Sequence, residues 1–199
     1  VKKEVNKLAK TVAPKIMHYQ HTVCPSCGEE ADIMYTFHAK KVSTDCDCKE
    51  HVFYSNYVLA LKKDIFTLVC PDCGEVYEHS FKNDGAASCP RCGRIIKDPK
   101  EGNIHHGKFL CPKCGEEKVL SEYTERNGYP FSTKLIAIEY YCPACGAHGY
   151  KKIEPQDEAL YKEACAEYDR IKDTLPIPDQ DIPVGYNTNQ ILNHGYKKF

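Results

Sequence analysis

Cys70-Pro71-Asp72-Cys73-Gly74 and Cys89-Pro90-Arg91-Cys92-Gly93 decide the reading of this chain. A Cys-x2-Cys turn offers two thiolates to one ion, and two such turns brought face to face complete the four soft ligands that zinc takes at tetrahedral angles. Proline presets φ for the turn. The glycine after the second cysteine accepts a left-handed backbone. The same turn recurs at Cys24-Pro25-Ser26-Cys27-Gly28, Cys111-Pro112-Lys113-Cys114-Gly115 and Cys142-Pro143-Ala144-Cys145-Gly146. A sixth pair, Cys46-Asp47-Cys48, has a shorter spacer and lacks both proline and glycine. His51, three residues beyond it, is the reserve ligand there. Twelve of the 13 cysteines thus fall into close pairs, enough for three tetrathiolate sites and three zinc ions.

Chain order sets the expected pairing. Joining neighbours closes the shortest loops at the lowest entropy cost. This predicts Cys24/Cys27 with Cys46/Cys48, Cys70/Cys73 with Cys89/Cys92, and Cys111/Cys114 with Cys142/Cys145. A disulfide framework is disfavoured because adjacent pairs have ligand spacing and no signal peptide is evident. A rubredoxin-like iron site uses the same turn and stays open as an alternative, an electron carrier. Lone Cys165 falls in a helical segment and reads as a small packing residue. The remaining histidines, including His105, His106 and His194, show no ligand spacing.

Composition agrees with small metal-bound units. In 199 residues there is no tryptophan and 28% of residues are charged, with no apolar run long enough for a membrane span. The expected location is cytoplasmic. Ribbons of this size bury little core, so each structural zinc is expected to supply on the order of 10 kcal/mol of folding free energy. The formal charge is −1. Loading three divalent ions onto twelve thiolates lowers it by about six, which argues against bulk electrostatic attraction to nucleic acid. Local lysine pairs remain as possible DNA contacts, above all Lys40, Lys41, Lys62 and Lys63. Tyr35, Phe37, Tyr54, Tyr57, Tyr129 and Phe131 are candidates for stacking on bases.

The fold class expected is small, metal-bound and β-rich (α+β): tandem zinc ribbons, built of β-hairpin zinc knuckles, with flanking helices. Residues 1–20 read as a helix tail from a preceding domain, with Val1, Val5, Leu8 and Val12 on one face and Pro14 interrupting it. Ribbon 1 takes 21–62, with strands around 31–39 and 52–61. Ribbon 2 takes 63–104 and ribbon 3 takes 105–154, whose most strand-like run is 135–141. An amphipathic helix follows within 155–175, with Leu160, Ala164, Tyr168, Ile171 and Leu175 on one face. Residues 176–199 form an extended arm leading to a next domain. Both ends read as cut from a longer protein.

The order of cysteine turns, the run Leu135-Ile136-Ala137-Ile138-Glu139-Tyr140-Tyr141-Cys142-Pro143-Ala144-Cys145-Gly146, the helix, and then Ile177-Pro178-Asp179-Gln180-Asp181-Ile182-Pro183-Val184-Gly185-Tyr186-Asn187-Thr188-Asn189-Gln190-Ile191-Leu192-Asn193-His194-Gly195-Tyr196 resemble the zinc-ribbon-containing adenine-specific DNA methylases of restriction or phage-defence type. The resemblance implies a multi-cysteine segment set between parts of a methyltransferase domain that binds S-adenosylmethionine and holds a flipped adenine on an Asn/Asp-Pro-Pro-Tyr turn. It implies prokaryotic origin, and DNA and the flanking methyltransferase domain as partners. No Asn/Asp-Pro-Pro-Tyr turn and no glycine-rich cofactor loop occur in this chain, so no catalytic or S-adenosylmethionine-binding residue is assigned. The chain itself is expected to be no enzyme, its parent a DNA adenine methyltransferase. The alternative is a structural ribbon scaffold for protein contacts.

Overall fold

The structure is a computed structural model and describes residues 2–43, 50–80, 86–111, 114–123, 132–175 and 180–189. Among the described residues it is small and β-rich with two α-helices, and its cysteines gather into tetrads. The chain divides into two compact units. The first comprises Val1–His38, Val58–Asp98 and Leu135–Ala166; the second comprises Ala39–Tyr57, Pro99–Lys134 and Glu167–Phe199.

Among the described residues one local unit is repeated five times, an antiparallel hairpin whose turn is the cysteine knuckle itself. Strands β1 (His21–Val23) and β2 (Glu30–Val42) flank the Cys24 turn, with Val23 opposite Glu30. Strands β5 (Ile65–Val69) and β6 (Val76–Ser80) flank the Cys70 turn, and β7 (Ala87–Ser88) and β8 (Ile95–Ile96) the Cys89 turn. Strands β9 (Lys108–Leu110) and β10 (Glu117–Val119) flank the Cys111 turn, and β11 (Thr133–Tyr141) and β12 (His148–Lys152) the Cys142 turn. The turn closes the hairpin because its own backbone hydrogen bonds continue the ladder.

In the first unit the strand order is β1-β2-β11-β12, so the first and last knuckle hairpins are neighbours in one sheet. Ala31, Ile138 and Tyr140 pack there against Cys24 and Cys142. A second sheet joins β4 (Val58–Lys62), β5 and β6. The β4-β5 hairpin turns at Lys63 and Asp64, with Lys63 in the left-handed region at φ 57°.

Helix α2 (Pro155–Ile171) begins where Pro155 supplies a preset φ at the first helical position. Asp157 reaches back to accept from the Glu154 backbone N–H at 3.0 Å, one half of a capping box. Its apolar stripe is only half-buried at Leu160, Ala164 and Ile171, and Tyr168 is exposed.

Helix α1 (Lys2–Ile16) runs through Pro14 instead of stopping there, and a 3-10 turn over Met17–Gln20 ends it. Proline removes one hydrogen bond, and this close to the helix end the loss falls in the last turn, where bonding is already weakening. No described helix is long and apolar enough to cross a membrane.

In the second unit, β3 (His51–Phe53) pairs with the end of β2 at Lys40, Lys41 and Val42. The expected strand over 52–61 is broken at residues 54–57. Their backbone groups bond to another segment: Tyr57 N–H donates to Pro99 O at 2.8 Å, and Tyr54 O and Ser55 O accept from Asn103 and Gly102. The Asn103 side chain completes this clamp between the Tyr54 N–H and Val52 O, at 2.8 Å each. A small core of Val42, Phe53, Phe109 and Tyr123 lies beneath.

Candidate metal centre

Each of the five described knuckles is built by the same two backbone bonds. The first cysteine's N–H donates to the carbonyl five residues on, and the glycine N–H donates back to the first cysteine's carbonyl, all at 2.8–2.9 Å. The glycines take φ between 71° and 81°. That backbone is costly for any residue with a Cβ. In the Cys24 knuckle the Ser26 N–H also points at Cys24 Sγ, 3.4 Å away, which favours a thiolate there.

Among the described residues, two knuckle pairs form tetrads. Cys70, Cys73, Cys89 and Cys92 have all four sulfurs within 4.8 Å of one another, the pairing expected from chain order. The other tetrad is Cys24, Cys27, Cys142 and Cys145. Here sequential pairing is corrected: the first knuckle meets the last, because β2 and β11 are neighbours in one sheet. The sequence hid this, since strand order within a sheet leaves no mark on cysteine spacing. The aromatic and β-branched run 135–141 was the available signal, as a strand of that kind belongs inside a sheet.

Sulfur separations carry the chemical argument. Cys24 and Cys145 are 3.8 Å apart and Cys27 and Cys142 3.6 Å. Cys70 to Cys92 and Cys73 to Cys89 are each 3.6 Å. A disulfide needs about 2.0 Å. A tetrahedral ion with metal–sulfur bonds of about 2.3 Å requires sulfur edges of about 3.8 Å. Both tetrads therefore have the dimensions of an ion cage, and zinc is compatible with them.

Electrostatics point the same way. Although burial opposes ionisation of Cys24, N–H donors from Cys27 and Ser26 and the neighbouring thiols bring it down to about 6. Cys89 comes down to about 7 for the same reasons, against its burial. Burial pushes Cys70 up to about 12, and the Cys92 thiol beside it adds to the rise. One thiolate is easy to form and the next is not. A bound cation removes that conflict by neutralising several thiolates together.

Lys151, in the sheet beside the first tetrad, is buried with its ammonium between Thr22 Oγ1, Val23 O and Glu154 Oε2 at 2.8, 3.1 and 2.8 Å. Asp157 Oδ2 lies 3.2 Å from it. The Thr22 hydroxyl donates to Asp157 Oδ1 at 2.6 Å. This cluster leaves no mark in the sequence, where Thr22 and Asp157 stand more than a hundred residues apart. It ties the strand entering Cys24 to the start of α2.

The other predicted residues separate. Cys46, Cys48, Tyr129 and Phe131 lie outside the described residues. Cys111 is buried and Cys114 exposed, and the expected pairing of their knuckle with the Cys142 knuckle is corrected, since Cys142 and Cys145 group with Cys24 and Cys27. His51 stands beside Cys111, with Nε2 3.7 Å from its Sγ. Lys40, Lys62 and Lys63 are exposed, while Lys41 pairs with Glu50 at 2.7 Å. Tyr54 and Tyr57 are buried, which removes them as stacking platforms; the clamp to Pro99–Asn103 holds them inward. Phe37 packs on Tyr35 and Tyr150, and Tyr35 is exposed. Cys165 is exposed on α2, so the packing role is corrected. The chain matches no family model, no curated protein and no solved structure.

Proposed function

We propose that the chain is a zinc-ribbon segment in which zinc ions hold pairs of knuckle hairpins together. The single observation that carries this is the pair of four-thiolate cages with sulfur edges of 3.6–3.8 Å. Four protein thiolates leave no open position for substrate or water, which suits a structural ion rather than a catalytic one. The tests are metal content and chelation. Purified protein holds zinc and is colourless, and removing the metal lowers thermal stability sharply. A visible iron–thiolate band would replace zinc with the rubredoxin-like alternative.

The parent protein, on this reading, is an S-adenosylmethionine-dependent DNA adenine-N6 methyltransferase, with the segment contributing DNA contact or target recognition. Support comes from the resemblance carried by residues 135–146 and 177–196. Lys62 and Lys63, exposed at a tight hairpin tip, are the best-placed lysines for phosphate. Duplex binding is measured by fluorescence anisotropy across a salt series. Lys62→Glu/Lys63→Glu weakens it and lowers the salt slope by about 2. No binding at low salt rejects the DNA-contact role. The scaffold reading draws on α1, whose Val5, Val12 and Ile16 are exposed. Self-association reversed by Val5→Lys/Val12→Lys supports it.

A further inference from the structure

We propose that the two tetrads load zinc cooperatively and that the Glu75 carboxylate is the group that couples them, an inference that rests on the zinc-ribbon reading above. Glu75 belongs to the second tetrad, Cys70, Cys73, Cys89 and Cys92, through its backbone. Its carbonyl accepts the Cys70 N–H at 2.8 Å, and its own N–H points at the Cys73 sulfur. Its side chain leaves that knuckle. Glu75 Oε2 meets Lys152 Nζ at 3.1 Å and Arg91 Nη1 at 3.7 Å, and both Glu75 and Lys152 are half-buried. Arg91 lies between Cys89 and Cys92, so its contact joins the two knuckles of one tetrad. Lys152 closes β12 and so belongs to the other tetrad.

The path from Lys152 to the first tetrad runs through paired strands. β12 begins just after Cys145 and pairs along β11, with Lys152 opposite Ala137 and His148 opposite Tyr141, which leads directly into Cys142. The residue before it, Lys151, is anchored to Thr22 Oγ1 and Val23 O on the strand that enters the Cys24 knuckle. Lys152 is therefore held by both knuckles of the first tetrad while its ammonium reaches a knuckle of the second. Small ribbons order their hairpins as metal binds. An ion in the first tetrad fixes β11 and β12, and with them Lys152, so that Glu75 finds its partner already in place. An ion in the second fixes Glu75 for Lys152 in the same way. Each ion removes part of the ordering entropy that the other must overcome, and linkage makes the two effects equal. A half-buried ion pair is screened less than an exposed one, which puts the effect at about fivefold in affinity, the low end of the range for coupled sites.

The test uses the full chain in a series of zinc buffers, with the occupancy of each tetrad read separately by alkylation of its own cysteines and peptide mass mapping. Removing the second ion with Cys89→Ser/Cys92→Ser lowers the zinc affinity at Cys24, Cys27, Cys142 and Cys145 about fivefold. Cys24→Ser/Cys27→Ser lowers the affinity of the second tetrad by the same factor, a change small enough that excess zinc still fills it. In Glu75→Gln and Lys152→Gln backgrounds neither removal affects the other site. Arg91→Gln weakens the second tetrad and leaves the coupling in place, which separates loss of coupling from loss of stability in one ribbon. Equal affinities with and without the partner ion, or a coupling that survives Glu75→Gln, overturns the proposal while leaving the zinc-ribbon reading intact. Wild type without zinc at either tetrad is the separate result that removes that reading.

Discussion

Replacing Lys151 by methionine should destabilise the first unit by about 3 kcal/mol. The ammonium is buried and faces Thr22 Oγ1, Val23 O, Glu154 Oε2 and Asp157 Oδ2, all within 3.2 Å. Removing one partner of a buried pair costs roughly 3–5 kcal/mol because the other charge stays behind. Asp157 keeps two donors, the Thr22 hydroxyl at 2.6 Å and the Glu154 N–H at 3.0 Å, so the loss falls at the low end of that range. About 3 kcal/mol is a change of roughly a hundredfold in the unfolding equilibrium. Denaturant titration of zinc-loaded protein measures it, with fluorescence following the tyrosines. The companion variant Lys151→Met/Asp157→Leu removes both charges and should recover to within about 2 kcal/mol of wild type, its residual cost being the lost cap and imperfect packing. A loss below about 1 kcal/mol for Lys151→Met refutes the reasoning. So does a double variant that is worse than the single.

Two glycines should respond differently to alanine. Gly74 has φ 71° with open space where a Cβ would sit, so Gly74→Ala costs only the backbone strain, about 1–2 kcal/mol, and weakens the second tetrad's zinc affinity by roughly 5- to 30-fold in a chelator competition. At Gly102 a Cβ would sit 1.7 Å from Tyr54 O, inside the clamp that holds residues 54–57. Gly102→Ala should therefore cost about 3 kcal/mol or more, read as a drop in thermal midpoint. Exposed Cys165 should be alkylated first in zinc-loaded protein, with knuckle thiols reacting after chelation; peptide mass mapping reads the order.

The knuckles were legible because their chemistry is local. Proline, glycine and two cysteines within five residues dictate the turn, and the Cys70 and Cys89 knuckles pair across a short loop as entropy favours. What could not be read was the pairing of Cys24 with Cys142. The knuckle hairpin at Cys24 has only Val23, Thr22 and His21 on its first strand, too short to stand alone, and it gains its burial by lying beside the long strand β11. Sheet burial of Ala31, Ile138 and Tyr140 outweighs the extra loop-closure entropy, which grows only logarithmically. The break at residues 54–57 was equally hidden. It depends on Gly102 and Asn103, some fifty residues away, offering backbone and amide groups that alternating hydrophobicity does not register.

Long-range pairing has a consequence that separates it cleanly from pairing by chain order. If Cys24 and Cys27 share one ion with Cys142 and Cys145, then Cys24→Ser/Cys27→Ser and Cys142→Ser/Cys145→Ser each remove the same ion. All four substitutions together then lower the zinc content by one. Under sequential pairing the two knuckles serve different ions, and the fourfold variant loses two. The count is insensitive to how much each variant is destabilised, provided the second tetrad at Cys70, Cys73, Cys89 and Cys92 stays loaded. That tetrad is itself the control, because both pairings assign it the same four ligands. A drop of two ions in the fourfold variant, with the control tetrad still occupied, would sink the neighbourhood of β2 and β11 as the device that builds this centre.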